Sequence, residues 1–213
     1  MARQEASSKT KKRPRAGNGD PATREKVLQA TVDSILELGF YRASTNAIAR
    51  RADVSWGVIQ HYFGNREQLL LEVLRWSADG FVARVENAHI DGATAEQRIE
   101  QLTEIFWSHY GQPQYLATLQ ILLNLDHDPE TSEPIRAWMR DTAARSYEQI
   151  RRLLGEALPG NDELARVVFL AVRGFVLGQP LHSATTPDDR TSAKQMAAER
   201  RTFARMLAAS LDT

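Results

Sequence analysis

The sequence predicts an all-α protein of about nine helices. Apolar residues recur at three- and four-residue steps along nearly all of residues 21–211. Proline or glycine marks the junctions between these periodic stretches. No stretch sustains the two-residue alternation of β-branched side chains that a half-buried strand needs.

The elements follow in chain order. Residues 1–20 are rich in Lys, Arg, Ser and Gly, with no apolar side chain larger than alanine after Met1, so they predict a disordered basic arm. Asp20-Pro21 reads as an N-cap followed by proline at the first helical position. Val27, Leu28, Thr31, Val32, Ile35 and Leu38 then give one helical stripe, closed by Gly39. Ser44 or Thr45 caps a short helix over STNAIARRA, DVS makes a turn, and WGVIQHYF forms a second short helix. Asn65, followed by Glu67 and Leu69-Leu70-Leu71, opens a longer helix toward residue 88. Beyond it, helical stretches stop before Pro113, Pro129, Pro159 and Pro180, and a last one runs over 189–211.

The 213 residues suffice for a sizeable buried core. Zero cysteines excludes a disulfide framework, cysteine-ligated zinc and thiol catalysis. No run of about 18 apolar residues predicts a membrane span, and the N-terminus lacks the apolar stretch of a secretory signal. The expected compartment is the cytoplasm, with no membrane partner. The net charge of zero conceals a sorting: residues 1–66 carry 12 Lys/Arg against 6 Asp/Glu, and residues 67–213 carry 15 against 21. A basic end facing a polyanion is one reading of that asymmetry, and a solvated tail is the other.

On the helix 56–63, Ile59 and Phe63 face a core, helped by Val54, Ile48, Ala49 and Ala52. At about 100° per residue, Gly57 and His61 lie roughly opposite Ile59, Val58 and Gln60 lie on the flanks, and Trp56 and Tyr62 sit at the borders. A two-helix unit with a tight turn fits a helix-turn-helix, whose second helix enters the major groove of DNA. Gly57 carries no side chain to hold phosphate or base edges away.

Residues 23–74 resemble the DNA-binding domain of the tetracycline-repressor (TetR) family of transcriptional regulators. The matching features are Gly39-Phe40, Ser44-Thr45, Ile48-Ala49 with Ala52, Val54-Ser55, Gly57 with Ile59, His61-Tyr62-Phe63, and Arg66-Glu67 before the paired leucines. The resemblance implies that Trp56, Gly57, Val58, Gln60 and His61 face base edges. It implies that Thr45, Tyr62 and Arg66 hold backbone phosphates, with Ser55 closing the turn in the same DNA-facing set. Trp56, Gln60 and Gly64-Asn65 depart from the residues frequent in the family, at positions that bear on the operator sequence and leave the fold untouched. The segment KTKKRPR is either a minor-groove or backbone-tracking arm or a nonspecific tail.

The division expected from this is a basic arm over 1–20, a helix-turn-helix domain over 21–66, and a helical ligand-binding and dimerisation domain over 67–213. Most aromatic residues of that body are core. Polar groups inside apolar stretches stand out: His109 after Phe106-Trp107, Asn124 within LQILLNLD, and Arg173 within VVFLAVRGFVLG. Arg173 either anchors a ligand or lies on the polar stripe of an interface helix. Phe81, Phe106, His109, Tyr110, Asn124, Trp138 and Arg173 are the candidate pocket residues, for an effector that is largely apolar or aromatic. The resemblance places a homodimer interface on 163–179 and 189–211.

No cofactor, metal site or enzymatic activity is expected. Histidines 61, 89, 109, 127 and 182 are scattered, Asp126-His127-Asp128 reads as a solvated helix end, and neither a nucleophile elbow nor a phosphate loop is present. The function expected is a ligand-responsive, sequence-specific DNA-binding regulator, a dimeric repressor released from a palindromic operator by a small molecule. The rival is a helical adaptor whose basic tail docks on acidic membrane or protein surfaces.

Overall fold

The Asp20 carboxylate accepts from the Ala22 amide at 3.2 Å and so starts the first helix, with Pro21 supplying its fixed φ at the opening position. The computed structural model describes residues 20–160, 162–186 and 192–211; the basic segment 1–19 lies outside the described residues. Among the described residues there are nine helices and no strand: α1 Pro21–Leu38, α2 Thr45–Arg51, α3 Trp56–Phe63, α4 Arg66–Asn87, α5 Ala95–Tyr110, α6 Pro113–His127, α7 Glu133–Ala157, α8 Asp162–Thr185 and α9 Ala193–Ala209.

Local chemistry sets most of these starts. Ser44 Oγ accepts from the Ala47 amide, Asn65 Oδ1 from Gln68 and Ser192 Oγ from Gln195, each side-chain cap being worth about 1 kcal/mol. Thr94 and Gln97 cap α5 reciprocally. Gly39 ends α1 at φ 80°, in the region that side chains avoid.

One expectation needs correction. The helix expected to stop before Pro180 continues through it to Thr185. Proline cannot donate to the Val176 carbonyl four residues back, so one helical bond is missing. The ring is buried, and the last turn is closed by Thr185 Oγ1 donating to the Leu181 carbonyl at 3.0 Å and Thr186 N–H to that of His182 at 2.8 Å. At the C-terminal helix, α9 begins at Ala193 rather than at 189.

Two apolar clusters fill the molecule. The first joins Leu28, Ile35, Ile48, Ile59, Phe63 and Leu70 of the N-terminal helices to Ala117, Ile121 and Leu125 of α6 and Ile135 of α7. The second is built from α4, α5, α7, α8 and α9 around Phe106, Ile99, Leu102, Leu153 and Val172. The N-terminal three-helix head therefore shares its core with the body. The expected boundary between 66 and 67 falls in the first turn of α4, a continuous 22-residue helix. At 1.5 Å per residue it carries the chain about 33 Å from head into body.

Within 163–185, an 18-residue window of α8 reaches a mean hydropathy of 1.5, long and apolar enough to cross a membrane, and a third (33%) of that window is buried. It packs on α5, α6, α7 and α9, and it keeps Val167 (59%), Leu170 (56%) and Leu181 (52%) exposed, as α9 does Met206 (68%).

Candidate functional site

In the turn between α2 and α3, Asp53 adopts φ 49° and the Val54 amide donates to the Ala49 carbonyl at 3.0 Å. Asp belongs to the small set of residues that tolerate this left-handed conformation. Ile59 (2% exposed) and Phe63 (5%) then pin α3 to the head. Truncating either costs on the order of 2–5 kcal/mol. Four apart on the helix, these anchors fix its rotation and turn Trp56, Gly57, Gln60 and His61 outward, all exposed. Val58 is half-buried. Ser55 makes no side-chain cap bond, so the first-turn amides of α3 have no side-chain acceptor from their own cap. At Gly57 a Cβ would meet only Ser55 Oγ, at 3.7 Å, leaving the outer face open.

Around α3, Thr45 opens α2 and is half-buried. The Tyr62 ring lies against the head core, edge-on to His61 at 5.6 Å, with its hydroxyl 3.5 Å from the Asp20 carbonyl. Arg66 differs from a free cation. Its Nη2 donates to the Phe40 carbonyl at 2.8 Å, its guanidinium lies 4.6 Å from the centre of the Phe40 ring, and burial lowers its pKa. Three exposed residues of the head lie outside the set expected from the sequence: Tyr41 is 86% exposed, and Arg42 and Arg50 are exposed with no acidic partner among the described residues. Sequence alone could not pick them out, because the neighbouring Arg51 pairs with Glu37 and Arg24 with Glu72.

In the body, α4 to α8 enclose a cavity of about 370 Å³. Of the residues expected there, Phe81, His109, Tyr110, Trp138 and Arg173 line it. Phe106 and Asn124 do not. Phe106 is fully buried behind the wall, edge-on to Tyr110 and Phe169, and the Asn124 amide donates back to the Gln120 carbonyl at 2.8 Å. The remaining wall comes from residues outside the expected pocket set: Tyr115, Tyr147 and Phe169, aromatics of the body expected in its core, and Leu74, Ser77, Thr118, Leu122 and Met139 among others.

The aromatic end of the cavity is tightly organised. The His109 ring stacks on Phe81 at 4.4 Å and meets Tyr110 and Tyr115 edge-on at about 5 Å. Burial, reinforced by the positive charges of Arg84 and Arg173, pushes the His109 pKa down to about 3, so its imidazole is neutral in ordinary buffers. Burial, together with Tyr115, pushes the Tyr110 phenol above its usual range against the pull of Arg173. The Arg173 guanidinium sits 5.1 Å from the Tyr110 ring centre and 5.9 Å from that of Phe169. Among the described residues, no group of three His, Asp or Glu side chains gathers as a metal would require.

Residues 27–73 match the family model described as bacterial regulatory proteins, tetR family. Over 67 residues the chain is 40% identical to the HTH-type transcriptional regulator BetI 1 of Chromohalobacter salexigens, an alignment covering 30% of this chain and a third (33%) of that one. It is 26% identical over 184 residues to the regulator BetI of Pectobacterium carotovorum, covering 79% of this chain and 85% of that protein. Among solved structures, the regulator FadR of Bacillus subtilis, in complex with stearoyl-CoA, has the same fold: TM-score 0.62 at 18% identity, over 86% of this chain and 97% of that one. The regulator PfmR of Thermus thermophilus superposes with TM-score 0.61, at 18% identity, over 86% and 97% of the two chains.

Proposed function

We propose that this chain, which belongs to the TetR family of bacterial regulators, is a dimeric, ligand-responsive transcriptional repressor that reads DNA through α3 and senses a small molecule in the α4–α8 cavity. The observation that carries the reading is the division of α3 into an anchored face, Ile59 and Phe63, and an exposed outward face, Trp56, Gly57, Gln60 and His61.

Gln60 is placed to pair with adenine through its amide, and Trp56 and Val58 to touch thymine methyls. Thr45, Ser55 and Tyr62 contact the phosphate backbone. The unpaired Arg42 and Arg50 supply the positive charge, while Arg66 acts through Phe40 by holding the corner between α1 and α2. A second copy covers the exposed Val167 and Leu170 of α8 with Met206 of α9, apolar surface that a lone subunit leaves wet. Twofold pairing sets two reading helices against a palindromic operator.

The same helices touch both functions. Leu74, Ser77 and Phe81 of α4 and Leu122 of α6 line the cavity, while Leu69, Leu70, Ala117 and Ile121 of these helices sit in the head core. A charged ladder adds a second link: Arg24 of α1 pairs with Glu72 of α4, Glu72 with Arg75, and Arg75 lies 5.7 Å from the ring of Trp138 in the cavity wall. A ligand that favours one arrangement of α4, α6 and α7 shifts the population of head positions, and with it operator affinity. Cytoplasmic residence follows from this function. Selection of bound duplexes from a random pool tests it: one palindrome should be enriched strongly over scrambled duplex at physiological salt. Enrichment of no palindrome overturns the reading and favours the adaptor.

A further inference from the structure

An aromatic-walled cavity is, by its rings alone, a fitting cage for a quaternary ammonium ion, whose charge the ring faces attract. The charges of this cavity argue the other way. Among the described residues, no Asp or Glu lines it, and its one charged side chain is Arg173. That guanidinium is half-buried and has no carboxylate partner among the described residues. In the wall its Nη2 donates to the Tyr115 hydroxyl at 3.5 Å, at the outer limit of a hydrogen bond. Stacking over Tyr110 and Phe169 holds the fork in place without neutralising it. A charge taken partly out of water without a counter-ion is unfavourable, and it becomes an affinity term when a ligand brings the missing anion.

We infer that the effector is an organic monoanion, a carboxylate on an apolar body, whose headgroup pairs with Arg173 beside Tyr115. This deepens the regulatory reading and rests on it. The apolar lining suits the body of such an acid, with Leu74, Leu122, Met139 and Ile150 in the wall. A volume of about 370 Å³ lies near the small end of ligand sites, about 300–1,000 Å³, so the acid is of medium chain length or carries a single aromatic ring. The neutral His109 and the un-ionised Tyr110 add polar edges without adding a negative charge that would repel the headgroup.

The test measures binding to the full-length protein without DNA, by calorimetry, with decanoate, 4-phenylbutanoate, methyl decanoate and decyltrimethylammonium, each below its micelle-forming concentration. At least one acid binds about tenfold or more tighter than the neutral ester and the cation, the size expected for one charge-assisted contact. In Arg173→Gln that preference disappears while binding of the ester is retained, and Arg173→Lys restores part of it, because the charge remains and the fork is lost. Melting curves of both variants show whether they fold. Equal or tighter binding of the cation, a preference for acid that survives Arg173→Gln in a folded variant, or no binding of either acid overturns the inference. Operator selection is a separate measurement, so loss of the anion preference and loss of the regulator reading are told apart.

Discussion

The Glu67 carboxylate, in the first turn of α4, accepts a hydrogen bond from the Ser132 amide at the start of α7, 3.0 Å away and 65 residues along the chain. It also sets a negative charge at the N-terminus of a 25-residue helix, where the helix dipole favours one. The bond ties the helix that enters the head directly to the helix that carries Trp138 in the cavity wall. Glu67→Ala should therefore lower stability by about 1–2 kcal/mol and reduce the change in operator affinity that ligand produces. Chemical denaturation, with operator titrations in the presence and absence of ligand, measures both. An unchanged ligand response would remove this bond from the coupling.

Gln60→Ala and His61→Ala should each weaken operator binding and relax base preference by about 1–3 kcal/mol. Both side chains are exposed on α3, so melting temperature should stay nearly constant. Repeating the random-pool selection with each variant checks the loss of preference at one position per half-site. A Gln60→Ala variant with intact preference would show that α3 reads through other residues.

Arg66→Ala should destabilise the head by about 1–2 kcal/mol, since it removes a charge-assisted bond to the Phe40 carbonyl and a cation–π contact with its ring. The slope of log affinity against log salt should not change. Arg50→Ala should do the reverse: stability holds, and the slope falls by about one unit. A flatter slope for Arg66→Ala would return that residue to the phosphate contacts.

Leu170→Glu places a charge on the exposed apolar side of α8, where 56% of the residue is accessible in the single subunit. The fold should survive, because no core contact is lost. The dimer should not survive, because the charge would be buried opposite its own copy. Sedimentation velocity should report a monomer, with operator affinity reduced in parallel.

His109 makes stability depend on pH. Its folded-state pKa of about 3 lies below the unfolded value of 6.5, so on acidification the unfolded chain takes up the proton first. The contribution is complete above about pH 6.5 and drains away as pH falls toward 3, by about 2 kcal/mol between pH 6.5 and 5. His109→Gln should flatten the acid limb by that amount relative to wild type, as read from urea midpoints at pH 7 and 5. An identical acid limb in the two proteins would mean that the ring takes its proton without opening the cavity.

The sequence by itself determined most of the helices and which face of α3 turns outward. Asp20, Ser44, Asn65 and Thr94 cap the helices to which they are adjacent, and capping and periodicity act over a few residues, so they can be read without knowing the fold. The orientation of α3 was legible for the same reason: Ile59 and Phe63 leave only one direction for Gln60 and His61. The helix through Pro180 escaped this reasoning, because one lost backbone bond is outweighed when the ring is buried by tertiary packing. Only the tertiary structure decided the cavity. Phe106 and Tyr110 stand four apart on the same helix, yet one is sealed in the core and the other faces the void, and Tyr115 and Phe169 arrive from different helices. The contact of Arg66 with a carbonyl 26 residues earlier in the chain is likewise a matter of tertiary packing. Which side chains share a void depends on how five helices pack and rotate together, and that is a long-range balance of burial no local pattern records.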